Sequence, residues 1–156
     1  MNIAARVLAI TSLAIATCVS ANPPDGYPFL RFDEAVARAG AEKKPVFVYF
    51  GRYGCAYCDR TNRQAFAAPE VRNAYVSHYV LAYVDAESGQ RLRLPTGELI
   101  TERELGTRYA AAVTPVFTFM IPDGTAVLQL IGFQGKDELL AADREIQEAL
   151  ESASAQ

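Results

Sequence analysis

Lys44-Pro45-Val46-Phe47-Val48-Tyr49-Phe50-Gly51-Arg52-Tyr53-Gly54-Cys55-Ala56-Tyr57-Cys58 sets two unlike signals end to end. Pro45 to Phe50 is a continuous β-branched and aromatic run between two lysines and Gly51, the pattern of a strand buried on both faces. From Cys55 to Phe66 the composition turns polar and helix-compatible, with Cys55 at the start. Two cysteines separated by two residues at a helix N-terminus form, in physical terms, a redox dithiol. The first lies where unpaired backbone N–H groups and the helix dipole favour negative charge, which makes thiolate available near neutral pH. The second, one turn along, is placed to attack a mixed disulfide. Cys55 is therefore expected to be the more exposed and more acidic thiol, and Cys58 the inward one. Arg52 would add positive potential if its side chain points toward Cys55.

Other uses of the pair can be weighed. As a staple it closes only a four-residue loop, which contributes roughly 2 kcal/mol in the chain-entropy model, against about 3 for fifteen residues. Zinc needs four ligands, and His78 is the sole histidine. Haem attachment needs histidine after the second cysteine, where this chain has Asp59. A copper-like soft metal on two thiolates stays open. His78 itself reads as a surface or helix-end residue.

Working outward, the 156 residues are 51% apolar and 21% charged with a formal net charge of −3, which fits one globular domain. The charge excludes the basic footprint of a nucleic-acid binder. Asp33 to Glu42 has helical composition, Pro69 to Tyr79 opens a further helix with proline, and Val80 to Val84 is a second buried strand ending at Asp85. Glu87 to Leu99 reads as an inserted loop or small hairpin. Thr101-Glu102-Arg103-Glu104 matches a capping box opening a helix to Tyr109. Thr114-Pro115 leads into the apolar run Val116 to Ile121, Pro122-Asp123-Gly124-Thr125 signals a turn, and Ala126 to Ile131 returns. Gly132 to Gly135 breaks the pattern before an amphipathic helix from Lys136 to Glu151. This order implies an α/β domain with a central mixed sheet and helices on both faces.

Residues 1–21 read as a secretory signal peptide: Arg6 as the positive region, Val7 to Ala16 as the apolar region and Val19-Ser20-Ala21 at the cleavage positions. Cleavage after Ala21 leaves Cys55 and Cys58 as the remaining cysteines in an oxidising compartment, a bacterial periplasm. A lipoprotein signal ending at Cys18 is the minority alternative. Residues 22–31 form a lead-in, 32–152 the domain and 153–156 a flexible tail.

From Phe32 to Glu151 the chain resembles the thioredoxin-fold family, and within it the periplasmic SoxW-type and thioredoxin-like reductases. The resemblance rests on the strand and Gly54-Cys55-Ala56-Tyr57-Cys58 quoted above, on Phe66-Ala67-Ala68-Pro69-Glu70-Val71, Val84-Asp85 and Thr114-Pro115-Val116-Phe117, and on Pro122-Asp123-Gly124 and Ile131-Gly132-Phe133. It implies Cys55 as attacking thiol, Cys58 as resolving thiol and Pro115 as a cis-proline facing them. Thr114 would offer backbone hydrogen bonds to a substrate strand, and Gly132 would keep the groove open. Gly54 and Tyr57 would border bound substrate, Tyr57 forming an apolar rim with Tyr53 unless both are ordinary half-buried aromatics. The chain departs from the family in having Gly54 where a tryptophan is usual, Ala-Tyr between the cysteines, and Tyr49 near the place of the buried acid.

The resemblance implies a thiol–disulfide oxidoreductase working as a reductase, with no bound organic cofactor or metal. A disulfide-containing protein substrate and a membrane thiol electron donor would be its partners, without nucleic acid, and the chain would act as a monomer. A dithiol oxidant or isomerase is the alternative enzyme, and a non-catalytic binding or metal-carrier module the alternative of another class.

Overall fold

The computed structural model describes residues 23–121 and 124–154. The signal-peptide reading of residues 1–21, Cys18 within it, and Pro122 and Asp123 of the expected turn lie outside the described residues.

The strand expected from Pro45 to Phe50 is β1 (Val46–Gly51), and every residue in it is buried. It lies between parallel β2 (Val80–Asp85) and antiparallel β5 (Val116–Met120), with β6 (Ala126–Ile131) on the far edge, in the order β2-β1-β5-β6. A second sheet is the short hairpin of β3 (Arg91–Arg93) and β4 (Leu99–Thr101), which occupies the expected insertion.

Continuous burial conceals a two-residue alternation, because successive strand side chains point to opposite faces. Val46, Val48 and Phe50 pack on one face with Phe32, Ala35, Val36 and Ala39 of α1 (Phe32–Glu42) and Leu105 of α4 (Glu102–Arg108). Phe47 and Tyr49 face the other layer with Phe117 and Phe119. That layer comprises α2 (Ala56–Thr61), a π turn (Asn62–Phe66), α3 (Pro69–His78) and α5 (Lys136–Ser154). Its core is aromatic. The Phe47 ring meets Tyr75 edge-on at 4.8 Å, and Tyr49 lies 4.8 Å from Phe117 and stacks on Phe66 at 5.7 Å.

Local signals explain several boundaries. The Thr101 hydroxyl accepts from the Glu104 N–H while the Glu104 carboxylate accepts from the Thr101 N–H, completing the capping box of α4. Pro69 starts α3 where a missing N–H costs nothing.

Three features differ from the sequence reading. The helix expected from Cys55 to Phe66 is α2 followed by a π turn, whose shifted register buries Ala65 and Phe66. The α5 helix runs to Ser154, beyond Glu151, and takes in half of the segment read as a flexible tail. The lead-in is part of the fold. Leu30 bonds the backbone of β2 on both sides, through Leu81 O at 2.9 Å and Tyr83 N–H at 3.0 Å, and the Tyr27 hydroxyl donates to Phe66 O at 2.9 Å.

Candidate active site

Parallel β1 ends at Gly51, and the chain must turn sharply to enter α2. Gly54 makes that turn with φ +67°, a left-handed conformation that suits glycine; a Cβ there would meet no heavy atom within 4 Å. Conformation, and not space, requires the glycine. Gly132 behaves likewise at φ +83°, again with open space where a Cβ would sit. Its backbone N–H donates to Pro115 O at 2.8 Å, tying the end of β6 to the start of β5.

Cys55 is the N-cap of α2 and is joined to Cys58 by a disulfide with 5.2 Å between the Cα atoms. The Cys55 sulfur performs the capping task usually given to a side-chain oxygen, accepting the Cys58 N–H at 3.1 Å. The thiolate of the reduced state would receive that same donor, with the helix dipole behind it. The segment before β5 closes the site from across the sheet. There the Thr114–Pro115 peptide is cis. The Thr114 hydroxyl donates to Cys55 Sγ at 3.2 Å, and Thr114 O lies 3.4 Å from the same sulfur.

The expected difference in exposure between the thiols is absent: Cys55 and Cys58 are each 6% exposed. Thr114 covers Cys55 from one side, and both cysteines belong to the aromatic layer. What distinguishes them is polarity, with two donors on Cys55 Sγ. The sequence reading assigned Thr114 a backbone task and missed its side chain. A β-branched hydroxyl beside proline was visible, but its distance from Cys55 was not.

Arg52, whose direction could not be read from sequence, points toward the site. Its Nε–H donates to Thr114 Oγ1 at 3.2 Å, and its Nη1 donates to Glu87 Oε1 at 2.8 Å. Tyr49, in place of an acid, donates its hydroxyl to Asn62 Oδ1 at 3.2 Å. Burial, with Tyr83 and Asp59 nearby, pushes its titration far above the ordinary tyrosine value, so it stays protonated.

The segments that build the site carry large exposed apolar side chains. Tyr53 and Tyr57 are 64% and 61% exposed, and Val113 and Ile131 60% and 56%. Neither tyrosine is half-buried. Half-buried Phe133 lies under the Arg60 guanidinium at 4.0 Å. His78 ends α3 and meets Asp143 of α5 through Nδ1 at 2.9 Å, in the same helical layer but outside the cysteine site. Among the described residues, no group of three or more His, Cys, Asp or Glu side chains is placed to hold a metal ion.

A family model described as a thioredoxin-like domain matches residues 32–147. No curated protein sequence matches the chain. Among solved structures, a thioredoxin from Thermus thermophilus is 28% identical, with 77% of this chain and 86% of that one covered at TM-score 0.63. A putative disulphide-isomerase from Bacteroides thetaiotaomicron is 30% identical over 77% of this chain and 92% of its own, at TM-score 0.59. The C-terminal domain of DsbD from Neisseria meningitidis, in its reduced form, shares the fold at 22% identity. It covers 72% and 90% of the two chains at TM-score 0.56.

Proposed function

The chain belongs to the thioredoxin-like family, and on that footing we propose that it is an exported thiol–disulfide oxidoreductase that reduces disulfides in protein or small-molecule substrates. The observation that carries this reading is the Cys55–Cys58 disulfide at the head of α2, with donors converging on Cys55 Sγ. The Cys55 thiolate attacks one sulfur of a substrate disulfide, forming a Cys55–substrate bond and expelling the other sulfur as thiolate. Cys58 then loses its proton and attacks Cys55 Sγ, restoring the internal disulfide and expelling the second substrate sulfur. The substrate has gained two electrons and two protons. An external dithiol, proposed to be membrane-borne, returns both and resets the pair. The pair itself is the redox centre, and no organic cofactor enters these steps.

Tyr53, Tyr57, Val113 and Ile131 supply an apolar rim for substrate, and Thr114 with Pro115 forms the wall opposite Cys55. Likeness to SoxW-type reductases and periplasmic location belong to the same proposal. They rest on the cysteine motif and on the signal-like residues 1–21, which fit an oxidising compartment. Protein recovered from the native host should begin at Asn22; an intact Met1 or a lipid on Cys18 would overturn export by this route. The likeness to a putative disulphide-isomerase favours isomerisation as the second reading.

The test is reduction of a model protein disulfide with dithiothreitol as electron source. Wild type should accelerate it and Cys55→Ser should abolish the acceleration. Equal rates for the two would remove the enzymatic reading and favour a binding module.

A further inference from the structure

Cys55 Sγ is approached by two hydrogen-bond donors, and only one of them belongs to the helix that carries it. The second is the Thr114 hydroxyl, which has a single proton. That hydroxyl accepts from Arg52 Nε–H at 3.2 Å and lies 3.2 Å from Cys55 Sγ. With its oxygen occupied as acceptor by a guanidinium, the hydroxyl is directed to donate to sulfur. A charged donor also polarises the O–H, strengthening the bond it makes in turn.

Arg52 is itself held. Glu87 Oε1 accepts from Arg52 Nη1 at 2.8 Å. The backbone of Glu87 is fixed from two sides: its N–H donates to Asp85 Oδ1 at 2.9 Å, and its carbonyl accepts from Arg103 Nη2 at 2.6 Å. The guanidinium thus has one hand on the carboxylate of a residue whose backbone is fixed and the other on Thr114.

We infer that Arg52 is a positioning residue that acts on Cys55 through Thr114, the Glu87–Arg52–Thr114–Cys55 chain stabilising the Cys55 thiolate of the reduced enzyme. This inference rests on the oxidoreductase reading. Its consequence is directional. A better-stabilised thiolate favours the dithiol over the disulfide and makes Cys55 a better leaving group when a mixed disulfide is resolved. Arg52 therefore makes the pair more oxidising than the helix N-terminus alone would.

The relay differs from a through-space field in one measurable way, since a relay needs the hydroxyl. The readout is the equilibrium constant of the purified protein with reduced and oxidised glutathione, for wild type, Arg52→Gln, Thr114→Val, Thr114→Ser and Arg52→Gln/Thr114→Val. Arg52→Gln and Thr114→Val should each shift the equilibrium toward the disulfide by three- to tenfold, a tenfold change being about 30 mV for two electrons. Thr114→Ser should restore most of the wild-type value, because it keeps the hydroxyl. In the Thr114→Val background, Arg52→Gln should have no further effect, so that the double-mutant cycle shows full coupling. Additive effects would overturn the relay and leave Arg52 acting through space. An unchanged equilibrium in Arg52→Gln would overturn any role for it. Wild type that fails to cycle between disulfide and dithiol at all would instead sink the oxidoreductase reading beneath it.

Discussion

At the scale of the residue, the two sulfurs share one burial and differ in surroundings. Both cysteines border the same aromatic layer, and Cys55 Sγ in addition accepts from the Cys58 N–H and the Thr114 hydroxyl. Hydrogen bonds to a thiolate favour the charged form and an apolar neighbourhood disfavours it. In the reduced protein at pH 7, iodoacetamide should accordingly modify Cys55 faster than Cys58, despite their equal exposure, and Cys58→Ser should accumulate mixed disulfides through Cys55. Faster modification of Cys58 would reverse the assignment of roles. The spacing of the cysteines and the helix start were legible in sequence, because both are local. The partners of Cys55 were not, since Thr114 lies 59 residues away and meets it only after β5 has paired with β1. Arg52 was visible as a charge without a direction, and Glu87, which supplies that direction, falls in a segment whose sequence showed only that it interrupts the pattern.

At the scale of the element, short-range chemistry was readable and the seams between helices were not. The capping box of α4 could be named from Thr101 and Glu104 alone. The Thr101 backbone N–H and then its hydroxyl hold the Glu104 carboxyl below the usual glutamate range. An acid depressed in the folded state stabilises above its unfolded value, and that contribution is lost as pH falls through the folded one. Glu104→Gln should therefore destabilise the protein at pH 7, with the difference from wild type shrinking as pH falls below the ordinary glutamate range, as read from urea midpoints; a pH-independent difference would detach the effect from the carboxylate. The seam between α3 and α5 needed tertiary structure. Buried Asp143 accepts the Tyr79 hydroxyl at 2.8 Å and lies 2.9 Å from His78 Nδ1, and the Tyr75 hydroxyl donates to Leu139 O at 2.9 Å. An aspartate on a helix with an apolar stripe gives no sign of the tyrosine it will meet. Asp143→Leu leaves the Tyr79 proton without its acceptor and should cost about 1–3 kcal/mol, with Asp143→Asn costing less because an amide oxygen can still accept. Denaturation of Asp143→Leu within 0.5 kcal/mol of wild type, roughly the range of surface substitutions, would show that the seam is held by packing alone. The π turn after α2 escaped for the same reason: its register is paired with burial of Phe66 and with the Tyr49–Asn62 contact, both set by β1.

At the scale of the whole molecule, the order of strands and helices places the cysteine pair where three segments meet: the β1–α2 turn, the segment before β5 and the turn after β6. That convergence was readable as a fold because each segment carried its own local mark. The direction of electron flow is a property of the assembled site and depends on opposing effects. Two donors on Cys55 Sγ stabilise the reduced state and make the pair more oxidising toward its partners. Architecture argues the other way. Between β2 and α4 the chain spends its residues on the β3–β4 hairpin, where dedicated oxidants of the resembling fold would carry a large helical insertion. The expected balance lies toward the thioredoxin end of the scale, at about −270 mV, with strong oxidants near −120 mV. Equilibration of the protein against glutathione, with the disulfide fraction read by alkylation and mass, measures it. A value more positive than about −180 mV, where isomerases and oxidants lie, would mean that the donors on Cys55 outweigh the architecture, and the enzyme would then form or rearrange disulfides instead of reducing them.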